Sequence, residues 1–326
     1  MSDLLIKCTV CGAVLDEEDL FCSECGTEAP TGSRSEASRA RTGTTRLSTH
    51  NFQCEGCGAS MSYDASVRAL RCPFCGSEHL KEQADAKEIA PSAVVPFQVP
   101  RDQAEALLRE WLGKGFWRPG DLAKQAEVLK MQPVYVPYWV FEATTHTYWT
   151  ADTNKTPLAA RGDWYPLFGE HRGSYADVLV GGSGALTPAE THALCHFDCS
   201  AGMPPDQVDL DNITLERFGV PRKYARPLAR AGLESLEMQA IAPSIVGTHR
   251  NLKVNTRITD LVSRPMLLPV WIMAYRYEDE VFRFLINGQT GRATGKAPVS
   301  WLKIAAAIGI TALVVITVLL VIAASQ

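Results

Sequence analysis

After Lys303 the chain carries no charged residue, and nowhere before it is there an apolar run of comparable length. The N-terminus, MSDLLIKCTV, lacks the apolar stretch and small-residue cleavage site of a secretory signal. No G-x-x-x-x-G-K-[ST] segment is present to cradle the phosphates of a nucleotide, so a P-loop enzyme is excluded. Excess charge is also missing. The 32 Lys and Arg against 36 Asp and Glu leave a formal net charge of −4, which names no partner by itself.

What is present is concentrated at the two ends. Ile304 to Ala324 is 21 residues without a charge, twelve of them Leu, Ile or Val. At about 1.5 Å per helical residue this reaches roughly 30 Å, the thickness of a bilayer's hydrocarbon core. Trp301 and Lys303 stand just before it, as interfacial anchors do. Arg292, Lys296 and Lys303 lie on its N-terminal side and nothing basic follows, which predicts a cytoplasmic body. The expectation is a tail-anchored, single-pass membrane protein whose transmembrane helix covers 301–324.

At the other end, eight of the ten cysteines fall into four knuckles: Cys8/Cys11, Cys22/Cys25, Cys54/Cys57 and Cys72/Cys75. Each is C-x-x-C followed by glycine. Two thiolates at this spacing chelate one Zn²⁺ when the backbone wraps the metal, and the next residue then often turns left-handed, where glycine has no steric cost. In a cytosolic body such a pattern points to metal rather than to disulfides. Ten residues separate Cys11 from Cys22 and fourteen separate Cys57 from Cys72, so each gap fits one hairpin around a four-thiolate site. Residues 1–29 and 51–80 thus read as two zinc ribbons, an internal repeat with two structural Zn²⁺ ions. Ser60 to Tyr63 and Val67 to Arg71 are the expected strands of the second. Closed four-cysteine sites fold a chain rather than catalyse, and Cys54→Ser is expected to unfold the second ribbon while leaving the body folded.

Ribbon one holds one Lys against seven Asp and Glu, the wrong sign for a phosphate-binding surface. Residues 30–50 are rich in Ser, Thr and Gly and carry Arg34, Arg39, Arg41 and Arg46. They read as a disordered, solvated linker that could touch phosphate or anionic lipid.

Residues 81–296 read as a β-rich α+β domain. Ala104, Leu107, Leu108, Trp111 and Leu112 share a face of a helix over 101–112, ended by Gly113 and Gly115. A second helix runs from about Pro221 to Ala240, with Pro227 marking a kink or a later start. Val134–Phe141 and Leu267–Met273 are apolar, aromatic strands that both contain P-x-W (Pro137/Trp139 and Pro269/Trp271). Tyr275/Tyr277 and Phe282/Phe284/Ile286 alternate around a hairpin turn, and Asn287–Gly291 forms a compact turn.

At these stretches the chain resembles a family of uncharacterised bacterial membrane proteins that carry an N-terminal zinc ribbon. VVPFQVPRDQAEALLREWL, YVPYWVFEA and LLPVWIMAYRY…FRFLINGQTG before the terminal span carry the resemblance, over roughly residues 51–323. Relatives are often labelled primosomal helicase-like, a label that rests on the ribbon alone. The resemblance implies an architecture and no activity, and the extra ribbon at Cys8–Cys25 departs from it.

Four segments could carry further chemistry. His192, Cys195, His196 and Cys199 would share one face of a helix, as a third metal site or a nucleophile with its base. Phe197 and Pro204-Pro205 argue instead for a loop and a structural role. Gly181-Gly-Ser183-Gly184 resembles a nucleophile elbow, but Ala185 replaces the last glycine and a flexible loop is the simpler reading. Asp209, Asp211 and Asn212 read as a turn, and His171-Arg-Gly-Ser174 as a polar loop. The function expected is therefore a membrane-held protein-binding or scaffold module, not an enzyme. A membrane-tethered nucleic-acid binder using Arg34–Arg46, Arg68 and Arg71 is the alternative.

Overall fold

The computed structural model describes residues 6–7, 10, 14–15, 50–63, 71–82, 89–158, 161–210, 213–278 and 280–324. Cys8, Cys11, Cys22, Cys25, Arg34, Arg39, Arg41, Arg46, Arg68, Asp211 and Asn212 lie outside them. The short strands β1 (Ile6–Lys7) and β2 (Val14–Leu15) pair antiparallel on either side of the first knuckle.

The fold is mixed α and β around one ten-stranded sheet. Two strands dominate it: β7 (Glu127–Thr153, 27 residues) and β10 (His249–Tyr277, 29 residues), paired antiparallel along nearly their whole length. The expected strands 134–141 and 267–273 are only their buried centres. The two P-x-W stretches lie near one another, with Pro137 opposite Leu267 and Trp139 opposite Pro265. A proline cannot donate to a ladder, so a run containing it usually argues against a central strand. Here the prolines stand where the outer neighbour changes. Pro137 lies where β8 (Tyr165–Gly181) leaves β7 and β9 (Thr214–Glu216) arrives, and Pro269 lies between β6 (Ala93–Val94) and β11 (Glu280–Asn287) along β10.

Residue alternation sorts the core into two layers. Trp139, Phe141, Trp271 and Met273 face helices. Beneath them pack α1 (Arg101–Gly113), through Ala104, Leu108 and Leu112, and α4 (Arg222–Ile241), through Ala225, Ala229 and Leu233. Helix α1 matches its expected span. Helix α4 starts at Arg222 and runs through Pro227, which therefore neither begins nor ends it. A one-turn helix, α2 (Leu122–Gln125), precedes β7. On the other face Val134, Val136, Tyr138, Val140, Met266, Leu268, Val270 and Ile272 meet the cysteine knuckles and α3 (Pro188–Leu194).

The ribbon segment 51–80 is continuous with this sheet. Strands β3 (His50–Cys54), β4 (Ser60–Tyr63) and β5 (Leu80–Glu82) complete an order that also includes β12 (Ala293–Gly295): β12-β11-β10-β7-β9-β4-β3-β5. Ser60–Tyr63 is a strand as expected, but it pairs with β3 and β9. Arg71 is not in a strand, and 64–70 lie outside the described residues.

Beyond about Thr144, β7 is flanked only by β8 and β10, so three strands continue as an arm covered on one face by α4. His171-Arg-Gly-Ser174, expected as a loop, is a stretch of β8 within this arm. The final helix, α5 (Trp301–Ala324), contains an 18-residue stretch with a mean hydropathy of 2.9, none of it buried against the rest of the fold. It is long and apolar enough to cross a membrane.

Candidate metal centre and its surroundings

Cys54, Cys57, Cys72 and Cys75 converge so that their sulfurs all lie within 4.8 Å of one another. Cys54 Sγ is 3.5 Å from Cys75 Sγ, and Cys57 Sγ is 3.6 Å from Cys72 Sγ. The two knuckles are built alike. Gly58 N donates to Cys54 O at 2.9 Å and Gly76 N donates to Cys72 O at 2.8 Å. Both glycines are left-handed, with φ of +76° and +77°, as the sequence pattern requires. Four sulfurs this close cannot all ionise without a cation. Hydrogen bonding from the Cys72 thiol holds Cys57 down at about 5, whereas burial pushes Cys75 up to about 11. These four residues can hold a metal ion.

The centre is fastened to the sheet domain from several sides. Cys54, Cys72 and Phe74 belong to the same buried cluster as Val134, Tyr138, Met266 and Ile272. Arg283 of β11 donates through Nη1 to the carbonyl of Phe74, inside the second knuckle, at 3.4 Å. The same guanidinium grips Glu190 of α3 with both Nη2–carboxylate distances at 2.7 Å. Burial raises the Glu190 carboxyl, but hydrogen bonds from Thr187 and Arg283 outweigh it and hold it below the usual range.

No protein-family model and no solved structure matches the chain. It is 25% identical, over 78% of its length, to the Uncharacterized protein YdjG of Bacillus subtilis (strain 168), 92% of which is covered. This likeness takes in most of both chains.

The other candidate segments resolve differently. Helix α3 ends at Leu194, so His192, Cys195, His196 and Cys199 do not share a helical face. Asn287 Nδ2 binds the carbonyls of Leu194 and His196, and Gln289 binds the backbone of Asp198 in both directions, so the Asn287–Gly291 turn clamps this segment. Burial pushes the Cys195 thiol up to about 11 and Cys199 up to about 12, away from thiolate character. Among the described residues, the only metal-competent cluster is that of Cys54, Cys57, Cys72 and Cys75.

Ser183 is buried and donates to Glu216 Oε1 at 2.6 Å, and the amides of Gly184 and Ala185 donate to the same oxygen. The elbow-like run is thus a loop tied to a carboxylate on β9. Glu216 is fully enclosed, its Oε2 finds no donor among the described residues, and burial pushes its carboxyl up to about 8. Its folded value exceeds the unfolded one, so its contribution to stability falls as pH rises from about 4.3 toward 8. Glu216→Gln is expected to flatten that dependence, gaining roughly 3–5 kcal/mol relative to wild type between pH 5 and pH 8. Urea unfolding at the two pH values measures it, and parallel pH profiles would refute it.

Two features of the arm carry no obvious sequence signature. The first is Glu237, whose side chain is wholly inaccessible, accepting from Thr145 Oγ1 at 2.5 Å and facing His171 Nδ1 at 2.8 Å. Its only signal is its place in the helical stripe Ala225, Ala229, Leu233, Glu237, Ile241. The second is the face turned away from α4. There the cross-strand rows are Arg257–His146–Arg172, Asn255–Tyr148–Glu170 and Lys253–Thr150–Phe168. Phe168 is 86% exposed and Tyr148 51%, and both border a shallow cleft of about 390 Å³.

Proposed function

We propose that the chain is a zinc-stabilised binding module, held at the membrane by α5 with its body cytoplasmic, and that the open face of the arm receives a protein partner. The arm is the observation that carries this. The base of the β7–β10 ladder lies beside the entry to α5, since Tyr275 Oη donates to Lys296 O and Tyr277 Oη to Asp121. The arm's tip, where Thr153 meets His249, is at the other end of strands whose contour is roughly 85 Å at about 3.3 Å per residue. An exposed aromatic face is thereby displayed far from the span.

Zinc fits the four-sulfur centre. A tetrahedral ion with Zn–S near 2.3 Å needs sulfurs about 3.8 Å apart, close to the 3.5 and 3.6 Å found. The ion would cross-link the two knuckles, and its closed ligand set supplies no open position for substrate. Cys8, Cys11, Cys22 and Cys25 repeat the pattern and would take a second Zn²⁺. This arrangement agrees with the bacterial zinc-ribbon membrane proteins that the sequence resembles.

The nucleic-acid reading is less well supported. With Arg250 and Asp152 included, the open face of the arm carries Arg172, Arg250, Lys253 and Arg257 against Asp152 and Glu170. Arg250 also pairs with Asp152, and His146 with Glu170. Mixed charge gives no phosphate-tracking stripe. The full chain is to be purified from its native membrane in mild detergent, with and without nuclease, beside Tyr148→Ser/Phe168→Ser. A protein partner that survives nuclease and is lost from the variant supports the proposal. A partner that vanishes with nuclease overturns it in favour of nucleic acid.

A further inference from the structure

The loop between α1 and α2 lies against the first turn of α5. Ser300 N donates to Trp117 O at 2.8 Å, and Lys303 Nζ donates to Phe116 O at 3.1 Å and to Arg118 O at 2.7 Å. These bonds hold Phe116 and Trp117 level with residues 300–303. Phe116 is 75% exposed there, and Trp301 and Leu302, which open the helix, are 79% and 82% exposed. Phe116 and Trp117 touch edge-to-face, with ring centroids 5.0 Å apart. Behind them the Arg118 guanidinium stacks 3.8 Å from the Trp111 ring centre and donates to the Trp111 carbonyl.

This presentation is built rather than incidental. Gly115 sits at φ +123°, a conformation that strains any other residue, and a Cβ there would meet the Arg118 side chain at 2.8 Å, so glycine favours this loop shape. A single exposed aromatic on a soluble surface needs no explanation. Phe116, Trp117 and Trp301 together, beside Lys114, Arg118 and Lys303, reproduce the aromatic and basic composition of a membrane interface.

We propose that the Gly113–Pro119 loop is a second membrane contact that does not span. Phe116 and Trp117 enter the headgroup region beside Trp301, so the body is docked on the lipid surface at a fixed tilt rather than swinging on α5. The proposal rests on the reading of α5 as a span, and the two can be tested apart.

A photoreactive benzophenone side chain is placed at Phe116, at Phe168 or at Leu313 in separate full-length proteins. Each is reconstituted in vesicles of zwitterionic and anionic phospholipid, irradiated, and analysed by mass spectrometry for lipid adducts. Phe116 is exposed, so the replacement does not disturb the core. Lipid adducts at positions 116 and 313, severalfold above position 168, are the expected result. Adducts at 313 with only the background of 168 at position 116 overturn the loop contact while leaving the span intact. Absence of adducts at 313 overturns the span and the loop contact with it.

Discussion

Cys54→Ser should lower the melting temperature of the whole sheet domain, not of the ribbon alone. The reason is where the cysteines sit. Cys54 and Cys72 are buried among Val134, Val136, Tyr138 and Ile272, so the cysteine knuckles form one wall of the core of β7 and β10. Three polar connections tie them to the same sheet: Arg217 N to Ser60 O, the β4–β9 pairing at Met61 and Glu216, and Arg283 Nη1 to Phe74 O. A ribbon that opened would expose this apolar wall and leave the Arg283 and Glu216 groups without their present surroundings. Structural zinc contributes on the order of 10 kcal/mol to the folding of small zinc modules, and one lost thiolate forfeits a sizeable part of that. A loss of about 3–5 kcal/mol lowers Tm by roughly 10 °C in a domain of this size. The emission of buried Trp139 and Trp271 reports the sheet, and metal release reports the site. Coincident transitions that both shift down in Cys54→Ser, or with chelator, are expected. If the sheet melts at its wild-type temperature after the metal has gone, the knuckles are an independent module and are not coupled to the sheet.

That expectation differs from the one reached from the knuckle spacing, and the difference is instructive. Local chemistry was legible: glycine after each second cysteine demanded a left-handed turn, and Gly58 and Gly76 have it. The stripe of α1 and the hairpin joining β10 to β11 were legible for the same reason, since each depends on neighbours a few residues away. Two kinds of feature were not. The pairing of β4 with β9 joins residues about 150 positions apart, and no local pattern specifies it. The arm was not legible because Thr144-Thr-His-Thr-Tyr-Trp-Thr150 is mostly threonine, with no apolar–polar alternation, and one side of it is open. Its covered side accepts threonine only because a buried carboxylate meets the hydroxyls. Long-range pairing and buried polar contacts decide these regions, and both are invisible to periodicity.

That carboxylate is Glu237, and Glu237→Ala should cost about 3–5 kcal/mol. Thr145 Oγ1 and His171 Nδ1 contact it at 2.5 and 2.8 Å, and the Thr147 and Tyr175 hydroxyls help to hold its charge. Alanine at this position would leave buried hydroxyls of the arm without an acceptor, and the arm would lose its main polar tie to α4. Glu237→Gln keeps one acceptor oxygen for Thr145 and should cost clearly less. Burial raises the carboxyl, yet these hydrogen bonds outweigh it and hold Glu237 below its usual range. The folded value is the lower of the two, so the stabilisation is complete above about pH 4.3 and is lost as pH falls through the folded-state value. Wild type should therefore lose part of its advantage over Glu237→Ala in acid, and the two urea midpoints should converge as the pH drops below about 4. Hydrogen exchange locates the effect. Amides of 144–153 and 165–174 should lose protection first, while the four-cysteine site, at the other end of the sheet, retains its metal. An alanine variant within about 1 kcal/mol of wild type at pH 7 would show that the carboxylate is incidental to the arm. Loss of metal from the same variant would show that arm and centre unfold as one unit.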